Sequence, residues 1–271
     1  MNVRIGRSDP SGRVAVPASK SYSIRAALCA ALAQGESVIE DMLDADDAEA
    51  ALECLAALGA SVSRRGRVVL VRGGELLAGS VLPCRESGAT FRFLLALAAT
   101  ISGRTELLCA PSLARRPVEP LLAALRQLAN VCEFDAVAGR AVVAGREALS
   151  GAVTLRGDTS SQFLSALLLS APRYRDGFRV ELSTPLVSER YVSMTLACMR
   201  DFGVEVTVST DGRSYAVDGR YRPSRYRVEG DWSAAAALLA LGALVGEVTV
   251  TNLSAASRQA CCPTPSSRSP Q

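Results

Sequence analysis

The sequence predicts an α/β fold made of three copies of one βαβαββ unit, followed by the start of a fourth. Three observations lead there. A block of polar opening, apolar helix, second helix and strand pair recurs about every seventy residues. The first helix of each block is apolar on nearly every side: A-A-L-C-A-A-L-A after Arg25, F-L-L-A-L-A-A-T after Arg92 and L-S-A-L-L-L-S-A after Phe163. A helix with no polar face belongs in an interior, so these three are expected to pack against one another centrally. The second helices, within residues 51–62, 121–131 and 195–206, break at Gly59, Asn130 and Gly203. Glycine, and less readily asparagine, supplies the positive φ that closes a helix.

Taken in order, the helix openings are S-K-S-Y-S-I-R (residues 19–25), E-S-G-A-T-F-R (86–92) and D-T-S-S-Q-F (158–163). Ser19 is placed to cap the first of these helices, after Pro17 ends a strand-like run. Strands are expected at residues 67–72 and 141–144, where β-branched residues cluster. The fourth unit opens at Y-R-V-E-G-D-W-S (226–233), with Asp231 and Ser233 before another apolar helix and E-V-T-V-T-N-L (247–253) as its strand. Residues 254–271 are rich in Ser and Pro without periodicity and read as a disordered tail.

If the three first helices pack together, their polar N-termini lie side by side. That gathers Lys20, Ser21, Arg25, Gly88, Arg92, Ser160, Ser161 and Gln162 on one surface. Lys20 is the single lysine of a chain whose other 29 basic residues are arginines. An ammonium is a compact point charge where a guanidinium is a planar fork, so this position selects the former. Free backbone N–H groups and the positive ends of helix dipoles meet there, which outlines a phosphate or carboxylate site. The competing reading is three unrelated caps, each serving only its own helix.

Bulk properties narrow the field. A net charge of +3, with no basic run interleaved with aromatics, gives no support to nucleic acid or an anionic membrane as partner. The longest apolar runs are too short to span a bilayer, and the N-terminus has no signal-like apolar stretch. Eight cysteines form no C-x-x-C pair, and the six before the tail read as buried, reduced thiols of a cytoplasmic protein. The absence of histidine removes His-based metal sites, Ser-His triads and His acid–base chemistry.

Six motifs in order, P-A-S-K-S-Y-S-I-R, S-G-A-T-F-R, R-R-P, S-S-Q-F, L-V-S-E-R-Y and V-E-G-D-W-S, resemble those of the enolpyruvyl transferases, and within them the EPSP synthase family. The likeness runs from about Val3 to Gln259. It implies the inside-out α/β barrel of that family and, in agreement with the missing histidine and the unpaired cysteines, no metal or organic cofactor. It also implies transfer of the enolpyruvyl group of phosphoenolpyruvate to the 5-hydroxyl of shikimate 3-phosphate in aromatic amino acid biosynthesis. By motif, phosphoenolpyruvate would meet Lys20, Gly88, Arg116 and Gln162. Shikimate 3-phosphate would meet Lys20, Ser21, Arg25, Ser160, Ser161, Gln162, Ser188 and Tyr191. Arg92 would either touch ligand or support the E-S-G-A-T loop. Two positions depart from the family: Glu86 stands where Asn is common, and Ala89 replaces a frequent Thr.

The resemblance also implies a domain plan. Residues 1–18 would join a second domain, 19–225 would form the complete three-unit domain, 226–253 would begin the second, and 254–271 would be an aberrant tail. Family members continue through a full second domain that brings the proton-transfer groups, so the catalytic residues are unknown and the chain is expected to be truncated and weakly active or inactive alone. A non-catalytic phosphate-ligand-binding fragment is the alternative. A full-length member would be monomeric and cytoplasmic.

Overall fold

A computed structural model of the chain describes residues 9–129, 131–146 and 150–259. After strand β1 (Ser11–Val14), the first unit comprises α1 (Lys20–Leu32), β2 (Gly35–Glu40), α2 (Asp46–Ala57), β3 (Ser61–Arg65) and β4 (Val68–Gly73). The second comprises β5 (Val81–Pro83), α3 (Gly88–Ala98), β6 (Gly103–Leu108), the short α4 (Pro111–Ala114), α5 (Glu119–Leu125), β7 (Val131–Asp135) and β8 (Arg140–Gly145). The third comprises β9 (Gly151–Leu155), α6 (Ser161–Ser170) running into a 3₁₀ turn (Ala171–Arg173), β10 (Phe178–Leu182), α7 (Glu189–Asp201), β11 (Val206–Val208) and β12 (Ser214–Val217). Then follow β13 (Arg225–Arg227), α8 (Trp232–Val245) and β14 (Glu247–Val250).

Three four-stranded sheets share one plan: β13-β2-β4-β3, β5-β6-β8-β7 and β9-β10-β12-β11. In each, the first pair is parallel and the other two pairs are antiparallel. The expected βαβαββ unit is therefore present three times, with one difference. The leading strand of the first unit is β13, which returns from the far end of the body to pair with β2. Residues 226 and 227, expected to open the fourth unit, thus belong to the first sheet. Glu40 fastens this return, accepting hydrogen bonds from Arg225 Nε (2.6 Å) and Arg227 Nη2 (2.7 Å).

Helices α1, α3 and α6 pack together in the centre. Every residue of α3 except Ala89, and of α6 except Gln162, is buried, as is all of α1 except Lys20, Ser21 and Leu32. Arginines stitch the bundle: Arg25 of α1 lies 5.1 Å over the Phe93 ring of α3, and Arg92 of α3 lies 5.7 Å over the Phe163 ring of α6. Cation–π contacts of this sort are worth about 0.5–2 kcal/mol, more when desolvated. Close strand–helix approach fixes glycine at equivalent places in two units. A Cβ on Gly73 would sit 2.2 Å from the Ala33 carbonyl oxygen, and one on Gly145 would sit 2.2 Å from that of Ala98.

Positive φ at Gly59 (103°) and Gly203 (84°) agrees with the helix-closing role expected for them, while Asn130 lies outside the described residues. Helix α5 ends at Leu125, short of the expected residue 131; three hydrogen-bonded turn residues follow and Val131 opens β7. Five of the six described cysteines are buried and Cys109 is partly so, all as free thiols; Cys261 and Cys262 lie outside the described residues.

β1 pairs in parallel with β14 in a separate two-stranded sheet, against which α8 packs. The chain passes between this unit and the three-sheet body twice. The crossings are joined by an Ala18–Gly230 bridge, by Ser19 N–H donating to the Glu229 carbonyl (2.8 Å) and by Asp231 N–H donating to that of Pro17 (2.9 Å). Asn252 clasps them: its amide pairs with both the N–H and the carbonyl of Val16 (2.9 and 2.8 Å), and its own carbonyl accepts from Gly230 N–H.

The tail expected from residue 254 is ordered as far as the structure describes it. Gln259 is buried, its amide donating to Glu229 (2.6 Å) and to the Gly230 carbonyl (2.8 Å) and accepting from Trp232 N–H (3.1 Å). A hydrogen-bonded amide anchors a segment that has no large apolar residue to bury. Residues 260–271 lie outside the described range. No helix among the described residues is long and apolar enough to cross a membrane.

Candidate functional site

The residues of α1, α3 and α6 left uncovered by the bundle lie, apart from Leu32, in the first turns: Lys20, Ser21, Ala89 and Gln162. The exposed ends of the central helices are therefore their N-termini, where unpaired N–H groups and positive dipole ends gather.

Only one of the three openings is capped as its sequence suggests. Ser160 Oγ accepts from Gln162 N–H at 3.3 Å. Ser87 Oγ instead pairs with Thr90 Oγ1 at 2.7 Å. Ser19 does not cap α1: its fully buried Oγ has no hydrogen-bond partner among the described residues. The first N–H of α1, on Lys20, is met from 211 residues away by Asp231 Oδ2 at 3.3 Å, while Asp231 Oδ1 caps α8 through Ser233 and Ala234 N–H.

Gly88, Arg92, Arg116 and Gln162 come together. A Cβ on Gly88 would lie 2.8 Å from Arg92 Nη1 and 3.8 Å from Arg116 Nη1. Arg92 Nη1 donates to Gln162 Oε1 (2.8 Å) and to the Gly88 carbonyl (3.3 Å), and Nη2 donates to the Pro117 carbonyl (3.0 Å). Arg92 thus ties three of the motifs, S-G-A-T-F-R, R-R-P and S-S-Q-F, to one another, and supports the loop as one of the two expected readings has it. Burial, and after it the like charge of Arg116, push the Arg92 guanidinium below its ordinary pKa. Among the described residues no carboxylate is hydrogen-bonded to Arg92, and Arg116 brings a like charge close to it. Glu86, the departure from the family pattern, pairs with neither Arg85 nor Arg92; it accepts from Ser112 Oγ at 3.0 Å. Arg85 is held by Asp46 and Glu53.

Lys20 reaches into the same region from α1. Its side chain is 54% exposed, and its ammonium lies 2.8 Å from Asp47 Oδ2 in the first turn of α2. Asp47 was not among the expected residues. It sits in the acidic run D-A-D-D, which reads as an ordinary acidic helix start, and nothing local shows that it meets Lys20.

Arg25 is 2% exposed. Its Nε donates to Thr195 Oγ1 (2.8 Å), Nη1 to the Ser21 carbonyl (2.9 Å) and Nη2 to the Tyr191 carbonyl (3.3 Å). Burial lowers its pKa. These bonds join α1 to the start of α7, where Ser188 is exposed in a left-handed conformation (φ 55°) and Tyr191 packs partly against the core. Of the five N–H groups of a guanidinium three are engaged, leaving one on each terminal nitrogen. Ser161 is buried, and Ser160 and Gln162 are half-exposed beside it.

An α/β body that presents three helix starts, an ammonium and two guanidiniums on one surface has the chemistry that multiply charged phosphate and carboxylate compounds require of a binding site. The comparisons narrow the class. The family model for EPSP synthase (3-phosphoshikimate 1-carboxyvinyltransferase) matches residues 6–263, and the chain belongs to that family. It is 39% identical over 265 residues to the 3-phosphoshikimate 1-carboxyvinyltransferase of Dehalococcoides mccartyi strain 195, covering 96% of this chain and 62% of that protein. The enzyme of the same name from Methanocorpusculum labreanum is 40% identical with the same coverage. Among solved structures, EPSP synthase from Acinetobacter baumannii superposes with a TM-score of 0.76 at 24% identity, over 92% of this chain and 57% of that one, which establishes the shared fold. The chain thus spans about 62% of the length of the first of these relatives.

Proposed function

We propose that this chain supplies one wall of an enolpyruvyl-transfer site, at which phosphoenolpyruvate gives its enolpyruvyl group to the 5-hydroxyl of shikimate 3-phosphate and phosphate leaves, by addition to a tetrahedral phosphorylated intermediate and then elimination. The observation that carries this reading is the pairing of Arg92 and Arg116 beside Gly88 and Gln162 at the helix starts, with no carboxylate among the described residues hydrogen-bonded to Arg92. Such a pair is stable in the company of a dianion.

In this arrangement Arg116 and Lys20 hold phosphoenolpyruvate, with Arg92 fixing Gln162 between the two substrates. Ser160, Ser161 and Ser188 serve the phosphate of shikimate 3-phosphate. Ser21 and Tyr191 flank its ring and Arg25 meets its carboxylate once the seam between α1 and α7 parts. Bound phosphate would displace Asp47 as the partner of Lys20. We further propose that β1, α8 and β14 begin a second body, which in the longer relatives forms the opposite wall. This chain alone is then expected to bind shikimate 3-phosphate with little or no turnover.

Calorimetry with shikimate 3-phosphate, and phosphate release on adding phosphoenolpyruvate, test the reading. Binding weakened at least tenfold by Gln162→Ala and by Lys20→Arg, which keeps the charge but not the compact head, is the expected result. Absence of binding at millimolar ligand, or indifference to both substitutions, would refute it.

A further inference from the structure

Arg25 is buried between α1, α3 and α7, and its guanidinium is fixed in two ways. The Phe93 ring, its centroid 5.1 Å from Arg25 Cζ, sets the plane. Thr195 sets the edge: its fully buried Oγ1 accepts from Arg25 Nε–H at 2.8 Å. We infer that Thr195 is a positioning residue, which acts through Arg25 to aim two N–H groups at the carboxylate of shikimate 3-phosphate. This deepens the function proposed above and rests on it for the identity of the ligand.

The directions of the hydrogen bonds decide which edge of Arg25 is left for a ligand. The Thr195 hydroxyl donates towards Ser165 Oγ of α6 at 2.9 Å and towards the Tyr191 carbonyl at 3.0 Å. Its lone pairs are thereby turned to Arg25, which can only donate. Within α1, Nη1 donates to the Ser21 carbonyl at 2.9 Å. The bond from Nη2 to the Tyr191 carbonyl is the longest of the three, at 3.3 Å, and only partly buried. It is the bond that yields when the seam between α1 and α7 parts. Nε stays on Thr195 and Nη1 on Ser21, so the guanidinium keeps its place. The outer end of the fork, one N–H on each terminal nitrogen, is then free to take both oxygens of a carboxylate.

Bracing of the helices alone does not account for these residues. The other buried side chains of α7 are Val192, Met194, Cys198 and Met199. A valine at position 195 would fill nearly the same space without a hydroxyl to desolvate. The hydroxyl is needed because a guanidinium lies beside it, and a buried guanidinium is itself costlier than an apolar side chain of its size unless its N–H groups are met. Packing requires neither group. Together they hold a rigid fork one helical turn after Ser21, before any ligand arrives, which lowers the ordering cost of binding.

The experiment compares shikimate 3-phosphate with its carboxyl methyl ester by calorimetry, on the whole chain and on Thr195→Val and Thr195→Ser. Wild type should prefer the acid. Thr195→Val should weaken binding of the acid about tenfold, the lower end of what a hydrogen bond to a charged group is worth. It should leave binding of the ester within about twofold, a split that a general loss of stability does not produce. Thr195→Ser keeps the hydroxyl and should retain the preference. On wild type alone, the ¹⁵N-labelled Arg25 Nε–H should stay protected from solvent exchange when shikimate 3-phosphate is added, a readout that stands even if Thr195→Val does not fold. The inference is overturned if wild type binds acid and ester alike, if Thr195→Val changes neither or weakens both equally, if Thr195→Ser loses as much as Thr195→Val, or if Arg25 Nε–H exchanges freely in the complex. In each of those cases wild type still binds the acid, and the function proposed above survives. Wild type that binds neither compound refutes that function, and the inference with it.

Discussion

Gly88→Ala probes the helix-start cluster with a single methyl group. The added Cβ would lie 2.8 Å from Arg92 Nη1, 3.4 Å from Leu113 Cδ1 and 3.8 Å from Arg116 Nη1. Contact with Leu113 is close to ordinary, so the conflict is with Arg92. That guanidinium ends a flexible side chain and can move, but the same nitrogen donates to Gln162 Oε1 at 2.8 Å. A hydrogen bond from a charged donor is worth about 1.5–3 kcal/mol. Alanine returns up to about 1 kcal/mol of helix propensity, less in a first turn. The net expectation is a loss of about 0.5–2 kcal/mol in stability. Affinity for phosphate ligands should fall about 10–100-fold, since displacing one charge-assisted contact forfeits about 1.4–2.8 kcal/mol of binding. Urea unfolding followed by circular dichroism gives the first quantity, and calorimetry with phosphoenolpyruvate and shikimate 3-phosphate gives the second. If Gly88→Ala unfolds at the wild-type midpoint and binds both ligands within twofold, Arg92 does not depend on the space left by the glycine, and the cluster is not the built site described above.

Arg25→Ala should cost about 3–4 kcal/mol, because three hydrogen bonds, one buried and two partly buried, at roughly 1–1.5 kcal/mol each disappear; a shift in urea midpoint under a third of that would show that Thr195 and the two carbonyls find other partners. Hydrogen bonds from Arg227 and then Arg225 hold the Glu40 carboxyl below its ordinary range. A folded-state pKa below the unfolded one stabilises above the ordinary carboxylate range, and the contribution is lost as pH falls through the lower folded value. Thermal midpoints of wild type and Glu40→Gln should therefore differ at neutral pH and converge in acid, and parallel curves would contradict the assignment. Trp232 is the single tryptophan, its Nε1–H donating to the Ser254 carbonyl at 3.1 Å in the β1–α8–β14 unit. Only Ala235 of α8 is buried and Leu244 is 81% exposed. This unit has little to hold it, so the tryptophan fluorescence transition in urea should precede the loss of helical dichroism, whereas coincident transitions would make the chain one cooperative body.

The three-unit plan was legible because burial leaves a mark in every copy. A helix that is apolar on all sides can be read without knowing its neighbours, and three at similar spacing imply a common interior. The return of β13 was not legible. Arg-Tyr-Arg is short and polar, and its pairing with β2 joins residues 187 positions apart. The segment after residue 253 misled for a related reason. Polar, small residues read as disorder because composition measures apolar burial, and Gln259 anchors through hydrogen bonds instead. Within the site, Lys20, Gly88 and Gln162 were legible as residues at helix starts, where chemistry and position coincide. Asp47 and Asp231 were not, because each meets α1 through tertiary structure and reads locally as a helix start of its own.

Asp231 gives the lone lysine a further meaning. The backbone N–H of Lys20 is bonded to a carboxylate that also caps α8, one residue after Ser19 donates to Glu229 and two after Ala18 bridges to Gly230. The first turn of α1 is thus both part of the proposed anion site and the place where the chain crosses to the β1–α8–β14 unit. Any change in how that unit seats against the three sheets must displace the backbone that aims the ammonium. Linkage makes the relation reciprocal: a ligand that holds Lys20 in one position also favours one seating of the second unit, by the same free energy. The hydroxyl of Ser19, fully buried between the two crossings, has no hydrogen-bond partner among the described residues. Leaving a buried hydroxyl unpaired costs on the order of 1–3 kcal/mol, so a seating in which Ser19 finds a partner gains that amount.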